Sequence, residues 1–367
     1  MEQMLIGIIC APELPRKITE NIIDDLSTTF SQSITDNVEW KIEYQEDLLT
    51  GAAEKVDEIF EAAERIKQNN NWQYVICLTD LPIYSTAGDI VLADLNIERG
   101  IAQISLPAFG FPPMQARLKK VILQMMVELY KDESFDKKEY KQNLKTITRS
   151  FPLSPVRRIK PKEKEGKVDS RYIVHPRVNG EIRLISGMTI ANRPWLLITS
   201  FKPIIAVAFA TGAYSIIFTT LWKLSVHFSL IRLISLMLVS IASMVLWITL
   251  SHNLWETSTT KGDKKIKHLY NMATITTLTI GVVTFYSLLF IIFSIAILIF
   301  VPPDMFQSVT SIKEEVDALI LLRLSWLGTS VAILAGAIGA GVENPELVRN
   351  IAYGYRQKQR YNEIENL

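Results

Sequence analysis

Histidine and cysteine are scarce in this chain, and their scarcity removes several kinds of chemistry at once. Among 367 residues there are four histidines, His175, His227, His252 and His268, so the first 174 positions carry none. Zinc needs His, Cys or carboxylate ligands converging at set spacings; an HExxH hydrolase is excluded and no metal site is expected. The two cysteines, Cys10 and Cys77, lie inside apolar runs. They form neither a disulfide framework nor a zinc spacing, which suits a reducing compartment. Glycine-rich phosphate loops are missing as well. Neither GxGxxG nor GxxxxGKS/T occurs, and the first apolar run is followed by Ala-Pro-Glu-Leu-Pro, so no nucleotide cofactor is expected. GxSxG is absent, and no nearby histidine could activate a serine. The opening MEQMLIGIICAPELP has acidic Glu2 where a secretory signal has basic residues, and its apolar run stops at Pro12; no signal peptide is expected.

Long apolar runs are present. A bilayer core of ~30 Å needs roughly 20 apolar residues in a helix, and four stretches qualify: Pro203–Trp222, Leu230–Leu250, Ala273–Val301 and Leu319–Gly341. Lipid offers no hydrogen bonds to a bare backbone, so such runs predict a four-helix transmembrane domain. The segment between the second and third carries Lys261, Lys264, Lys265 and Lys267 and reads as cytoplasmic; that between the third and fourth carries Lys313 against Asp304, Glu314, Glu315 and Asp317 and reads as external. Arg349, Arg356, Lys358 and Arg360 return the tail to the cytoplasm. The expected location is a cell membrane, multi-pass, with both termini cytoplasmic. Lys202, Arg232 and Arg323 lie near segment ends, where long side chains snorkel. No Asp or Glu falls mid-span, which argues against an ion-coupled transporter.

The near-neutral net charge hides a division. Residues 1–110 hold 19 acidic and 7 basic side chains, a charge of −12, and residues 111–200 hold 19 basic and 9 acidic, a charge of +10. Strand-like runs at Met4–Cys10, Val38–Tyr44 and Gln73–Leu78 alternate with helical periodicities through Ile18–Phe30 and Ala52–Ile66. A hairpin-like pair, Ile90–Leu95 and Ile101–Leu106, follows, then helices at Pro112–Tyr130 and Phe135–Thr148. This predicts a three-layer α/β head with a mixed sheet. Asn179-Gly180, between Tyr172–Val178 and Glu181–Ile185, predicts a β-hairpin. The expected organisation is therefore a cytoplasmic α/β domain over 1–150, a basic linker with a β-hairpin over 151–194, a transmembrane domain over 195–345 and a cytoplasmic tail over 346–367.

Three sets of residues are candidates for function. Thr79 and Asp80 follow a buried strand, with Asp89 and Asp94 close behind; the carboxyl ends of strands are where open α/β sheets bind ligands, although such residues also cap turns. Arg157, Arg158, Lys160, Lys162, Lys164 and Lys167 form a basic cluster that either meets anionic lipid or serves as a solvated spacer that sets topology. Gly328, Ala332, Gly336 and Ala340 repeat every fourth residue, a face on which helix backbones approach closely, against another span or a second protomer. Expected partners are the lipid bilayer and a protein, possible homo-oligomer included. Nucleic acid is not expected, because the folded part is acidic.

ICLTDLPIY, ADLNIERGIAQISLPAFG, GMTIANRPWLL, HNLWE and AYGYRQ together resemble an uncharacterised family of multi-pass membrane proteins from Gram-positive bacteria, over nearly the whole chain. Some members of such families carry a methylene-tetrahydrofolate dehydrogenase label by automatic transfer, which calls for a nicotinamide loop and a catalytic lysine motif not found here. The pattern around Leu78–Leu106 is also similar to the upper sheet of archaeal-type metzincins, without their zinc helix. The leading expectation is a binding or scaffolding module. A membrane-anchored enzyme acting on a small molecule at the head and a transporter or channel subunit are the alternatives.

Overall fold

The computed structural model describes residues 2–53, 55–130, 151, 155–161, 168–175, 177–256, 264–339 and 345–366. The chain divides into two compact units, Met1–Ala191 with Tyr353–Leu367, and Asn192–Ala352. The expected Phe135–Thr148 helix lies outside the described residues.

The first unit is built on an eight-stranded mixed sheet. Its strands are β1 (Glu2–Cys10), β2 (Val38–Glu46), β3 (Tyr74–Thr79), β4 (Ile83–Tyr84), β5 (Ile90–Asn96), β6 (Ile101–Ser105), β7 (Val156–Ile159) and β8 (Ser170–Val174). They lie in the order β2-β1-β3-β6-β5-β8-β7, with β4 paired to β5. β2, β1, β3 and β6 run parallel, and β5, β8 and β7 continue antiparallel. Between the strands run α1 (Leu14–Ser33), α2 (Val56–Asn69) and α3 (Met114–Tyr130). The expected apolar faces are buried: Ile18, Ile22, Leu26 and Phe30 on α1, and Met114, Leu118, Ile122, Met125 and Leu129 on α3. On the opposite side, Ile59, Phe60 and Ala63 of α2 join Ile9, Val75, Cys77, Val91 and Ile101 in one core. Alternate residues along a strand face opposite sides, so both faces of the central strands are covered and their sequences read as continuous apolar runs.

Two boundaries differ from the sequence reading. The segment beyond residue 151 is no mere linker, since β7 and β8 extend the head sheet. Arg177–Ala191 is helix α4, and no hairpin forms at Asn179-Gly180. Its glycines serve close approach instead of a turn. A Cβ on Gly180 would lie 2.8 Å from Ile90 Cδ1, and one on Gly187 would lie 2.2 Å from the Pro107 carbonyl oxygen. Tertiary packing outweighs the local turn preference.

The second unit holds α5 (Lys202–Ile217), α6 (Thr219–His227), α7 (Leu230–Ser251), α8 (Lys264–Phe300), α9 (Pro303–Thr310), α10 (Ala318–Gly339) and α11 (Pro345–Arg349). Among the described residues three helices, α7, α8 and α10, are long and apolar enough to cross a membrane. Over the expected first span, α5 and α6 meet at 84° around Phe218, whose backbone is extended, so the pair is either a broken span or a re-entrant loop. α10 touches α5, α6, α7 and α8 and forms the centre of the bundle. Gly328, Ala332 and Gly336 on it are buried, and a Cβ on Gly328 would sit 2.8 Å from Ser215 Oγ of α5. At Gly328 the small-residue face therefore contacts a helix of the same chain; Ala340 lies outside the described residues. Serine and threonine hydroxyls donate back along their own helices, as Thr277 does to Ala273 and Thr329 to Ser325. Tyr286 and Ser330 join α8 to α10 at 2.8 Å.

Candidate functional site

Because β1 lies between β2 and β3, the chain leaves β1 on one side and returns on the other. A crevice therefore opens between the carboxyl ends of β1 and β3, the switch point where open α/β sheets take ligands. Three connections surround it. Ala11–Glu13 leads from β1 into α1, Asp47–Ala53 follows β2, and Asp80–Pro82 follows β3. Ala11 N–H donates to Leu78 O at 2.9 Å, which ties the first connection to the end of β3. In the second, Asp47 Oδ1 accepts from Thr50 N and Thr50 Oγ1, both at 3.0 Å.

The crevice is occupied by the chain itself. Residues Tyr353–Glu365 form α12, and Tyr353, Arg356 and Arg360 lie buried along one side of it. Arg360 grips Asp80 with a fork, Nη1 to Oδ1 at 2.8 Å and Nη2 to Oδ2 at 3.2 Å, and Arg356 Nη1 adds a third bond at 3.3 Å. Arg356 also stands 3.6 Å from Glu13, and its guanidinium lies 4.3 Å over the Tyr353 ring. Gln357 donates to Ala52 O at 2.8 Å and Arg360 to Gly51 O. Arg360 lies close over Gly51, where a Cβ would be 2.1 Å from its Nη1 and would displace the guanidinium. Tyr353 OH reaches Met188 O at 3.1 Å. All three connections around the crevice thus touch α12.

Electrostatics favour this closed state. Burial alone would raise the Asp80 carboxyl, yet the charges of Arg360 and Arg356 and the hydrogen bond from Arg360 outweigh it and hold the group below its ordinary value. Asp80 is an anion at neutral pH, and both guanidiniums need it. Such charge-assisted, bidentate bonds are among the strongest that side chains make.

The other candidates from the sequence do not converge on this place. Thr79 is buried, and its Oγ1 accepts from Leu81 N at 3.1 Å, which makes it a turn cap. Asp89 closes the β4–β5 turn through Ser85, its N–H bonded to Ser85 Oγ at 3.0 Å. Asp94 is fully buried on β5 and accepts Arg171 Nε at 2.7 Å and Nη2 at 3.0 Å. Of the basic cluster, Arg157 and Lys160 are exposed. Arg158 is committed elsewhere: its Nε and Nη2 hold buried Glu128 at 3.1 and 3.0 Å, and Nη2 also bonds Ser170 Oγ at 2.6 Å. Tyr172 OH donates to the same carboxylate. The Arg158 side chain, 24% exposed, is thus engaged with a carboxylate of the head. Lys162, Lys164 and Lys167 lie outside the described residues.

The partners of Asp80 lie 276 and 280 positions away. The readable sign of them was the spacing of Tyr353, Arg356 and Arg360, three and then four residues apart, which gathers them on one helical face. Among the described residues no group of three or more His, Cys, Asp or Glu could hold a metal ion. Comparison with family models, with curated proteins and with solved structures found no match.

Proposed function

We propose that the chain is a membrane protein whose head acts as a binding or scaffolding module and presents its docked C-terminal helix to a partner, instead of holding an open pocket for turnover. One observation carries this reading: the crevice where a sheet of this topology takes a small molecule is occupied by α12, through Asp80, Arg356 and Arg360. The outer side of α12 carries Lys358, Gln359, Asn362 and Glu363, all exposed, a polar surface fitted to a protein.

Membrane topology follows from parity. Residues 1–191 and 353–367 belong to one compact unit, so the chain that leaves it must return to the same side. Three long apolar helices are found among the described residues, and in this reading α5 with α6 supplies a fourth crossing, which gives the even number. Four crossings with both termini cytoplasmic also agree with the lysines of 261–267 and the acidic 304–317 segment. The bilayer, and anionic lipid at the exposed Arg157 and Lys160, complete the proposed partners.

Photo-crosslinking from Gln359 of the full chain in native membranes tests the scaffold. A discrete protein adduct, with no turnover of a metabolite panel by the purified protein, is the expected result. Turnover that persists in the absence of any adduct would make the head an enzyme.

A further inference from the structure

α12 carries donors into a wall of acceptors. Arg360 donates to both Asp80 oxygens and to Gly51 O, Arg356 donates to Asp80 Oδ2, and Gln357 donates to Ala52 O. Further along the helix, Tyr361 OH donates to Glu58 Oε2 at 3.3 Å. In each of these bonds α12 gives the hydrogen and the head receives it. The receiving side is also acidic, through Asp80, Glu58 and the Glu13 carboxylate beside Arg356. The direction of the bonds defines what the crevice recognises: a planar cation with several N–H groups, set against one carboxylate and the backbone carbonyl of Gly51. A guanidinium meets that description, whereas an ammonium lacks the fork.

The contacts fall at Tyr353, Arg356, Gln357 and Arg360, positions i, i+3, i+4 and i+7 of one helical face. This is the spacing by which a helical segment is read in a groove. The docked helix is nevertheless poor in apolar anchorage. Its buried side chains are Tyr353, Arg356 and Arg360, and Ile364, the one aliphatic residue in it, is half-buried. The neighbouring strands are closed by fully buried Ile9, Val75 and Cys77. Segments held by few buried apolar contacts open below the free energy of global unfolding. Opening alone would leave Asp80 without its two guanidinium partners, both of which lie on α12. Exchange of one guanidinium for another avoids that loss.

We propose that α12 is a displaceable plug, and that the crevice receives in its place an arginine-bearing helical segment of a partner protein. The inference rests on the scaffold reading, which supplies a protein partner at α12, and adds where an arginine of that partner is received.

A fluorescent peptide of residues 353–367 is the probe, added to the isotope-labelled full chain in neutral detergent and followed by anisotropy, with hydrogen exchange of the chain's own α12 measured alongside. The tethered helix competes at an effective concentration on the order of millimolar. Wild type should therefore bind the peptide weakly, and Arg360→Gln, which loosens the tethered copy and leaves the crevice intact, about tenfold more tightly. A peptide with lysine at both arginine positions should bind about tenfold less well, and Asp80→Asn added to Arg360→Gln should remove binding. In the wild type, α12 amides should exchange faster than those of β1 and β3 and lose further protection when the peptide is added. That measurement needs no variant and carries the test if Arg360→Gln does not fold. Loss of the Gln359 adduct would count against the scaffold reading alone. No peptide binding to Arg360→Gln, equal binding of the lysine peptide, binding retained with Asp80→Asn, or α12 amides that open only together with the sheet would overturn the exchange.

Discussion

Asp80 shows how a single buried carboxylate can hold a distant part of the chain. Removing one member of a buried ion pair leaves the other charge without compensation, a loss of ~3–5 kcal/mol. Asp80→Asn should therefore destabilise the full chain by about that much, and Arg360→Met by less, because it removes a buried charge and leaves Arg356 on the carboxylate. Chemical denaturation in detergent measures both. The pH dependence follows from the lowered folded value. With an unfolded carboxyl near ~3.9, the stabilisation is fully present above that pH and is lost as pH falls through the lower folded value. Protection of α12 amides, corrected for intrinsic exchange, should stay constant from about pH 8 to 5 and fall only below roughly pH 4. A change near neutrality would mean that another group controls the docking. The two cysteines contribute no such switch. Both are buried, Cys77 is raised by burial, and Cys10 is pushed up to about 11 mainly by burial, so both stay protonated at neutral pH.

At the scale of the element, glycine decides more than local preference does. In α4, Gly187 meets the Pro107 carbonyl, which passes too close for a side chain, and Gly180 meets the Ile90 side chain, and the same Asn-Gly pair that promises a turn is absorbed into a helix. In α10, Gly328 meets Ser215 of α5, with a Cβ placed 2.8 Å from Oγ and 3.0 Å from Ser215 Cβ. Gly328→Leu should cost ~1–3 kcal/mol of overpacking and lower the melting temperature in detergent, whereas Leu334→Ile on the same helix should be mild. An unchanged melt for Gly328→Leu would place this face against lipid. α8 is longer than its apolar run. At 37 residues it measures about 55 Å, well beyond the ~30 Å hydrocarbon core, so it tilts or extends past the bilayer.

For the whole molecule, the testable consequence of parity is topology. A reporter active only outside the cytoplasm should work when fused after Ser308 and stay silent after Gly262 or Leu367. Activity at Leu367 would separate the two chain ends and remove α5 with α6 as a crossing. The sequence by itself determined the class of most elements, the helix over Arg177–Ala191 being the exception. Period-two and continuous apolar runs identify strands, four-residue spacing identifies the head helices, and runs of about 20 apolar residues identify membrane helices, because each pattern reflects the solvent that a short segment meets. Only the tertiary structure decided what joins what: the strand order, β7 and β8 added to the head, the break at Phe218, Arg158 on Glu128, and Arg360 on Asp80. Those depend on pairs far apart in sequence. A charged side chain reads the same locally whether it faces water, lipid or a buried carboxylate, and only the fold brings that partner within about 3 Å.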